Sequence, residues 1–208
     1  MAKSNASANA LVALMYNATA IANVADNAAS APITVVNMAA HTADPGAAGT
    51  MTTSEAAYTG YARPTPARTT GGFTCSSGVV TLVADASFGA CSAGTATLTH
   101  WSTGPASGAG QIWHRGVFGS RQGPFTAATN DNITIPGHTM IVDDRVAFYA
   151  PSGTTIPTGI TEGTVYWVKT VASEVITIST TQGGSVLDVT AIGDGLAYRV
   201  TPIAVSAG

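Results

Sequence analysis

Val, Ile and Thr fill 61 of the 208 positions in this chain, whereas Leu fills six. A side chain branched at Cβ is stiff about its first torsion, crowds the preceding turn of a helix and packs well on a pleated surface. A chain with this balance is therefore mainly β. Its second constraint is electrical: 8 Lys plus Arg and 11 Asp plus Glu make 9% of the residues, with a net charge of −3. Ordinary soluble domains carry roughly 25% charged residues.

Several classes of function fall away on these grounds. A nucleic-acid partner requires a basic footprint that releases counterions, and eight dispersed cations do not form one. No stretch approaches the roughly 18 uncharged apolar residues of a membrane span, so no membrane partner is expected. The N-terminal MAKSNASANA lacks the compact apolar core of a signal peptide, which leads us to expect a soluble protein made in a cytoplasm. Monomers normally disperse charge over their surface to avoid association. A chain that lacks it is expected to lie against copies of itself or a larger lattice, as a structural subunit.

The period of the apolar residues changes once. Over residues 5 to 29, Leu11, Leu14, Met15, Ala18, Ile21, Ala22 and Ala25 recur on one face of a helix, which Ser30-Ala31-Pro32 would stop. Val12 and Val24 lie off that stripe and hint at a second covered face. From Ile33 onward short β-rich runs alternate with turn residues. Strands are expected at 33–39, 61–69, 72–75, 79–84, 96–101 and 111–118, then at 139–142, 145–149, 165–170, 175–180 and 196–201. Residues 119–132, GSRQGPFTAATNDN, read as a joint. The expected organisation is an N-terminal helix with a β-sandwich of jelly-roll type over residues 1–122, and a small all-β domain over residues 123–208.

No constellation with catalytic spacing emerges. Asp143-Asp144 is the one adjacent carboxylate pair, and neighbours in a strand point to opposite faces, so a polar turn is the better reading. His41, Asp44, His100 and His114 share no short metal-ligand spacing, and an Asp before Pro-Gly commonly caps its own turn. Ser107 lacks the G-x-S-x-G of a nucleophile elbow. Cys75 and Cys91 are either small buried residues or a bridge between neighbouring strands. Tyr58, Tyr61, Trp101, Trp113 and Trp167 suit a buried core or an interface better than a sugar-stacking platform. No catalytic, cofactor or metal site is expected, and no enzymatic activity.

His41 to Arg68, HTADPGAAGTMTTSEAAYTGYARPTPAR, resembles a signature of small tailed-bacteriophage virion proteins. Gly89 to Phe118 resembles their later part, and the likeness spans residues 8–118. Residues 143–195 resemble a separate small β module appended to phage structural proteins. Two positions depart from the pattern: Ala40 stands where Leu is usual, and Pro64 and Pro66 interrupt a strand that is usually aliphatic. Proline cannot donate to a ladder, so that segment is expected at an edge or an inter-subunit contact.

The resemblance implies a virion location. It points first to a homotrimeric capsid decoration (cement) protein bound to the major capsid protein, and second to a tail fibre or tip subunit that contacts a host receptor. On that reading Tyr58, Tyr61, Arg63, Pro64, Pro66 and Arg68 are the candidate partner-contact residues.

Overall fold

The structure is a computed structural model and describes residues 5–21, 32–105, 107–151 and 153–208. The chain is mainly β, with one N-terminal helix. Helix α1 (Asn5–Asn17) is followed by β1 (Asn37–His41), β2 (Phe73–Ser76), β3 (Val79–Leu82), β4 (Thr95–Leu98), β5 (His100–Gly104) and β6 (His114–Val117). These form a sandwich-like set of small sheets: β1-β5-β6, the ribbon β2-β3, and a pair completed by β4.

The helix is shorter than its periodicity suggests. Ala18 adopts a left-handed φ of 54°, and the Thr19 N–H turns back to the Ala13 carbonyl at 3.1 Å. The rest of the expected helix beyond Ile21, with Ala22, Val24, Ala25 and the stop at Ser30-Ala31, lies outside the described residues. The packed face is also rotated. Val12, Met15 and Tyr16 meet Phe73, Cys75, Val80 and Leu82 of the ribbon, while Leu11 remains exposed.

Residues 61–69 form no strand. They run antiparallel beside β1 and the residues before it, where Pro64 and Pro66 contribute what proline still has. Met38 N–H donates to the Pro64 carbonyl at 3.1 Å, Val36 N–H to Pro66 at 3.0 Å, and Arg68 N–H returns the bond to Thr34 at 2.8 Å. The run 96–101 breaks at Thr99, which separates β4 from β5.

The joint expected at 119–132 holds the longest strand, β7 (Gly119–Ala127), which passes through the boundary placed at 122/123. After it come β8 (Ile133–Thr134), β9 (Arg145–Tyr149), β10 (Tyr166–Ala172), β11 (Val175–Ser179), β12 (Gly193–Val200) and β13 (Ile203–Ser206). Residues 139–142 are a loop. Strands β7 to β12 close a six-stranded antiparallel barrel in the order β10-β11-β8-β7-β12-β9. Alternate residues point inward, with Val146 and Phe148 of β9 and Tyr166 and Val168 of β10 facing a single apolar core. Phe125 and Phe148 cross edge to face at its centre, 4.9 Å between centroids.

Strand pairing and apolar packing both tie the barrel to the N-terminal sheets. β13 leaves the barrel to pair with β4 along four residues, Ile203 opposite Leu98 through Ser206 opposite Thr95. Ala147, on the outer face of β9, packs with Val117 and Val200. That contact explains why β9 is buried on both faces.

Candidate interaction surface

The six residues read as partner contacts fall into three environments. Tyr58 is buried, and its hydroxyl donates to the carbonyls of Phe88 (2.9 Å) and Gly89 (3.1 Å). Pro64 and Pro66 are half-buried along the edge of β1. The two arginines are structural. The Arg63 guanidinium grips the Glu55 carboxylate with Nε at 2.6 Å from Oε1 and Nη2 at 2.7 Å from Oε2. It also donates to the carbonyls of Met51 and Gly108. Tyr61 donates to the same carboxylate at 2.8 Å and accepts the Ala40 N–H.

Burial alone would raise the Glu55 pKa, but the bonds from Arg63 and Tyr61 hold it below the ordinary carboxylate range. Burial pushes the Tyr61 hydroxyl above its usual range. Arg68 is buried and donates to the carbonyls of Leu14, Met15 and Ile33. A cation there satisfies carbonyls at the C-terminal end of α1 that have no intrahelical partner and offsets the negative end of the helix dipole.

The HTADPG turn is likewise bonded within the chain. Asp44 Oδ1 accepts the Gly46 N–H at 3.1 Å, the self-capped turn its sequence announces, and the same carboxylate takes two bonds from Arg115 Nη1. Glu162 lies 3.7 Å from Arg115 Nη2, and the guanidinium sits over the Tyr149 ring, which joins β6 to the barrel. His41 is fully buried. Its Nδ1 lies 2.8 Å from the Thr53 carbonyl, which can only accept, so Nδ1 carries the proton and Nε2 accepts from Ser102 Oγ at 2.7 Å. His100 Nε2 donates to the Gly163 carbonyl across the seam at 2.9 Å. Burial lowers both imidazoles, and His114 with them.

Among the described residues no cluster of His, Cys, Asp and Glu could hold a metal ion. Cys75 and Cys91 are free thiols in separate clusters. Asp143 and Asp144 form a polar turn: Asp143 has a φ of 70°, and Asp144 accepts from Ile141 N–H and from Arg199. Trp101 donates its indole N–H to the Val117 carbonyl, Trp113 meets Tyr16 edge to face, and Arg145 lies over Trp167 at 4.5 Å.

These bonds leave a surface that sequence reading did not single out. Between residues 32 and 118 there are six ionised side chains, and Asp44, Arg115, Glu55, Arg63 and Arg68 are all drawn inward. Asp85 alone of these is exposed. The barrel segment, residues 119–208, carries eleven, of which six are exposed: Arg121, Asp143, Glu162, Glu174, Asp188 and Asp194. The neutral exterior includes the outer face of the ribbon, with Thr74, Ser76, Val79, Thr81 and Val83. Behind the ribbon lies a cavity of about 600 Å³, walled by apolar groups such as Val12, Phe73, Val80, Leu82 and Phe88.

Residues 3–143 match the family model described as podophage GP4 fiber I protein gp80. The chain belongs to this family. It is a phage virion structural protein, and its location is with the virion. The matched span contains the HTADPG turn, the Arg63–Glu55 and Arg115–Asp44 ion pairs, the neutral ribbon and the first two barrel strands. No curated protein matches the chain, and no solved structure does.

Proposed function

We propose that this protein is a subunit of the podophage fibre apparatus. Its N-terminal region packs against protein in the particle, and its barrel faces solvent. The observation that carries this reading is the partition of charge between the two regions, and the family's description as a fiber protein supports it. A surface of Thr, Ser, Val, Ala and Gly approaches a neighbour closely and loses little rotamer freedom on contact. It also repels no neighbour electrostatically. Binding only the assembled particle stabilises it by mass action, and several modest contacts reinforce one another when their geometry matches. On this reading the protein performs no reaction of its own, needs no cofactor, and has itself, as a homotrimer, and other virion proteins as partners.

One feature favours a second reading, capsid decoration against the major capsid protein on the outer head surface. Among the described residues the elements make a short folded block, with no lengthwise repeat of the kind a shaft is built from. Fractionating purified particles into heads and tails and counting copies in each decides between them. A few copies that travel with tails support the fibre subunit. Copies that scale with the shell lattice and remain on empty heads overturn it in favour of decoration.

A further inference from the structure

Alternate residues of β1 point to opposite sides of its sheet. Met38 lines the cavity behind the ribbon, whereas Asn37 reaches the other side, along which residues 51–65 pass. An open cavity of about 460 Å³ lies there, lined by Asn37, Thr52, Thr65, Tyr61 and the Glu55–Arg63 pair. Its size falls within the roughly 300–1,000 Å³ of small-ligand sites.

Asn37 is the unusual member of this set. Only 4% of its surface is exposed, and among the described residues its side-chain amide has no hydrogen-bond partner. The polar side-chain atoms sealed without a partner among the described residues are on Asn9, His138 and Tyr149. Asn37 is not one of them, so its amide opens into the cavity. An amide drawn this far inside and bonded to nothing in the chain calls for a partner from outside. The Thr65 hydroxyl, exposed at the same cavity, is likewise unbonded among the described residues.

The surrounding groups narrow the chemistry of that partner. Arg63 and Glu55 neutralise one another at 2.6 Å, so the cavity offers no unmatched charge to an anion or a cation. The Tyr61 ring already meets Tyr58 edge to face and Phe88 in parallel, which leaves recognition to hydrogen bonds. An extended peptide would need a free strand edge. Both edges of β1 are taken, by β5 on one side and by the carbonyls of Pro64 and Pro66 on the other. What fits is a neutral compound with neighbouring hydroxyl groups, which can donate to the amide oxygen and accept from its nitrogen at once.

We propose that this cavity is a saccharide-binding site, in which the Asn37 amide and the Thr52 and Thr65 hydroxyls bond the hydroxyl groups of one neutral sugar unit of a surface polysaccharide. The inference deepens the fibre-subunit reading and rests on it for the encounter with such a polymer. A particle protein that covers the ribbon leaves the cavity open, because the two lie on opposite sides of β1. Weak binding at one site gains strength when several copies engage one polymer.

The test is an amide-resolved NMR titration of the full chain with glucose, galactose, rhamnose and N-acetylglucosamine, and in parallel with glucuronate, inorganic phosphate and a short alanine peptide. At least one neutral sugar should give saturable shifts at the Asn37 side-chain amide and the Thr65 backbone amide, with none comparable at Ile192 on the barrel. Asn37→Ala removes no side-chain hydrogen bond among the described residues, so it should keep the wild-type thermal midpoint. It should weaken that sugar about tenfold or more, the loss of two hydrogen bonds. Thr65→Val, at an exposed position that does not disturb folding, should weaken it roughly threefold. The proposal is overturned if none of the four sugars gives a saturable shift, or if either variant binds as wild type does. It is equally overturned if glucuronate, phosphate or the peptide binds more tightly than every neutral sugar, which would make the cavity an anion or protein contact. The fibre reading fails separately, by the head-and-tail count.

Discussion

In the barrel, fourteen buried residues form one apolar cluster, and six of the eleven ions are exposed. In the N-terminal region the buried apolar residues fall into small separate clusters, and the interior is threaded with polar groups. Among the described residues, seven of the eight buried polar or charged side chains lie between Asn37 and Thr103, and only Ser179 belongs to the barrel. The barrel is stabilised by area removed from water, a contribution that tolerates local imperfection. The N-terminal region is held by hydrogen bonds to buried ions and imidazoles, each of small net worth while intact and costly when one partner is lost. The neutral exterior follows from that arrangement: where its ions are drawn inward as structural parts, Thr, Ser, Ala and Val are left to make the surface.

The largest expected effect tests the barrel side. Phe148→Ala removes a fully buried ring that packs against Phe125 at the centre of the core. It should cost about 3–5 kcal/mol in urea unfolding. A cost below about 1 kcal/mol would mean the barrel core does not carry the barrel. Next comes the polar side. Arg63→Ala leaves the Glu55 carboxylate and two carbonyls without their cation, and should cost about 2–4 kcal/mol. The double variant Arg63→Ala, Glu55→Ala should recover part of that loss, because the orphaned charge goes with it. If the single and double variants are equally destabilised, the penalty is not that of an uncompensated buried charge, and the contrast between the two regions weakens.

The coupling of the two regions is tested at Gly163. Its φ is +76°, and an added Cβ would lie 1.8 Å from Asp44 Oδ2, in the turn that holds Arg115. Gly163→Ala should cost about 1–3 kcal/mol through backbone strain and displacement of that turn. Near-UV circular dichroism should then change more than the far-UV signal, since the seam shifts while the strands persist. An unchanged seam would show that β13 and the Val117–Ala147–Val200 contact hold the regions together without the Asp44 turn.

What the sequence discloses follows the same division. Composition alone requires a mainly β chain, and alternation correctly places Val146 and Phe148, and Tyr166 and Val168, on common faces. These belong to the barrel, where burial of every second side chain is the main source of stability. β7 is illegible because GSRQGPFTA carries the Gly, Pro and polar residues of a linker. Pro124 is tolerated there because β8 reaches only Thr126 and Ala127, so that stretch of β7 has a ladder partner on one side alone. The helix end at Asn17 carries no breaker, and the cap that satisfies it comes from Arg68, distant in sequence. Arg63 and Arg68 look like contact residues because long cations in a proline-rich edge usually are solvated. Only the fold brings Glu55, Tyr61 and the α1 carbonyls to them. Charge content is legible in the sequence, but its placement is not.

Acid sensitivity sharpens the comparison further. His41 and His100 are kept neutral by burial, so their folded pKa lies below the ordinary value near 6.5. The unfolded chain therefore binds more protons in the window below about pH 6.5, and stability falls as pH falls through it. Glu55, held below the carboxylate range, adds a further loss in stronger acid, as its carboxylate is protonated and the Arg63 bond goes. Both contributions come from the N-terminal region. Unfolding followed by probes of each region should show it weakening first on acidification, and His41→Gln should flatten the dependence between pH 7 and 5 (roughly the imidazole window). Equal acid sensitivity in both regions would contradict the placement of the titrating groups.

The smallest expected effect is at Asp85, the one exposed ion between residues 32 and 118. It makes no structural bond comparable to those of Asp44 or Glu55, so Asp85→Asn should change stability by less than about 0.5 kcal/mol. Urea unfolding of Asp85→Asn beside Arg63→Ala checks this. A loss that approaches the one at Arg63 would mean that an exposed ion of the N-terminal region is as structural as those drawn inward, and the comparison between inward and outward charge would fail at the one residue that represents the outward kind between residues 32 and 118.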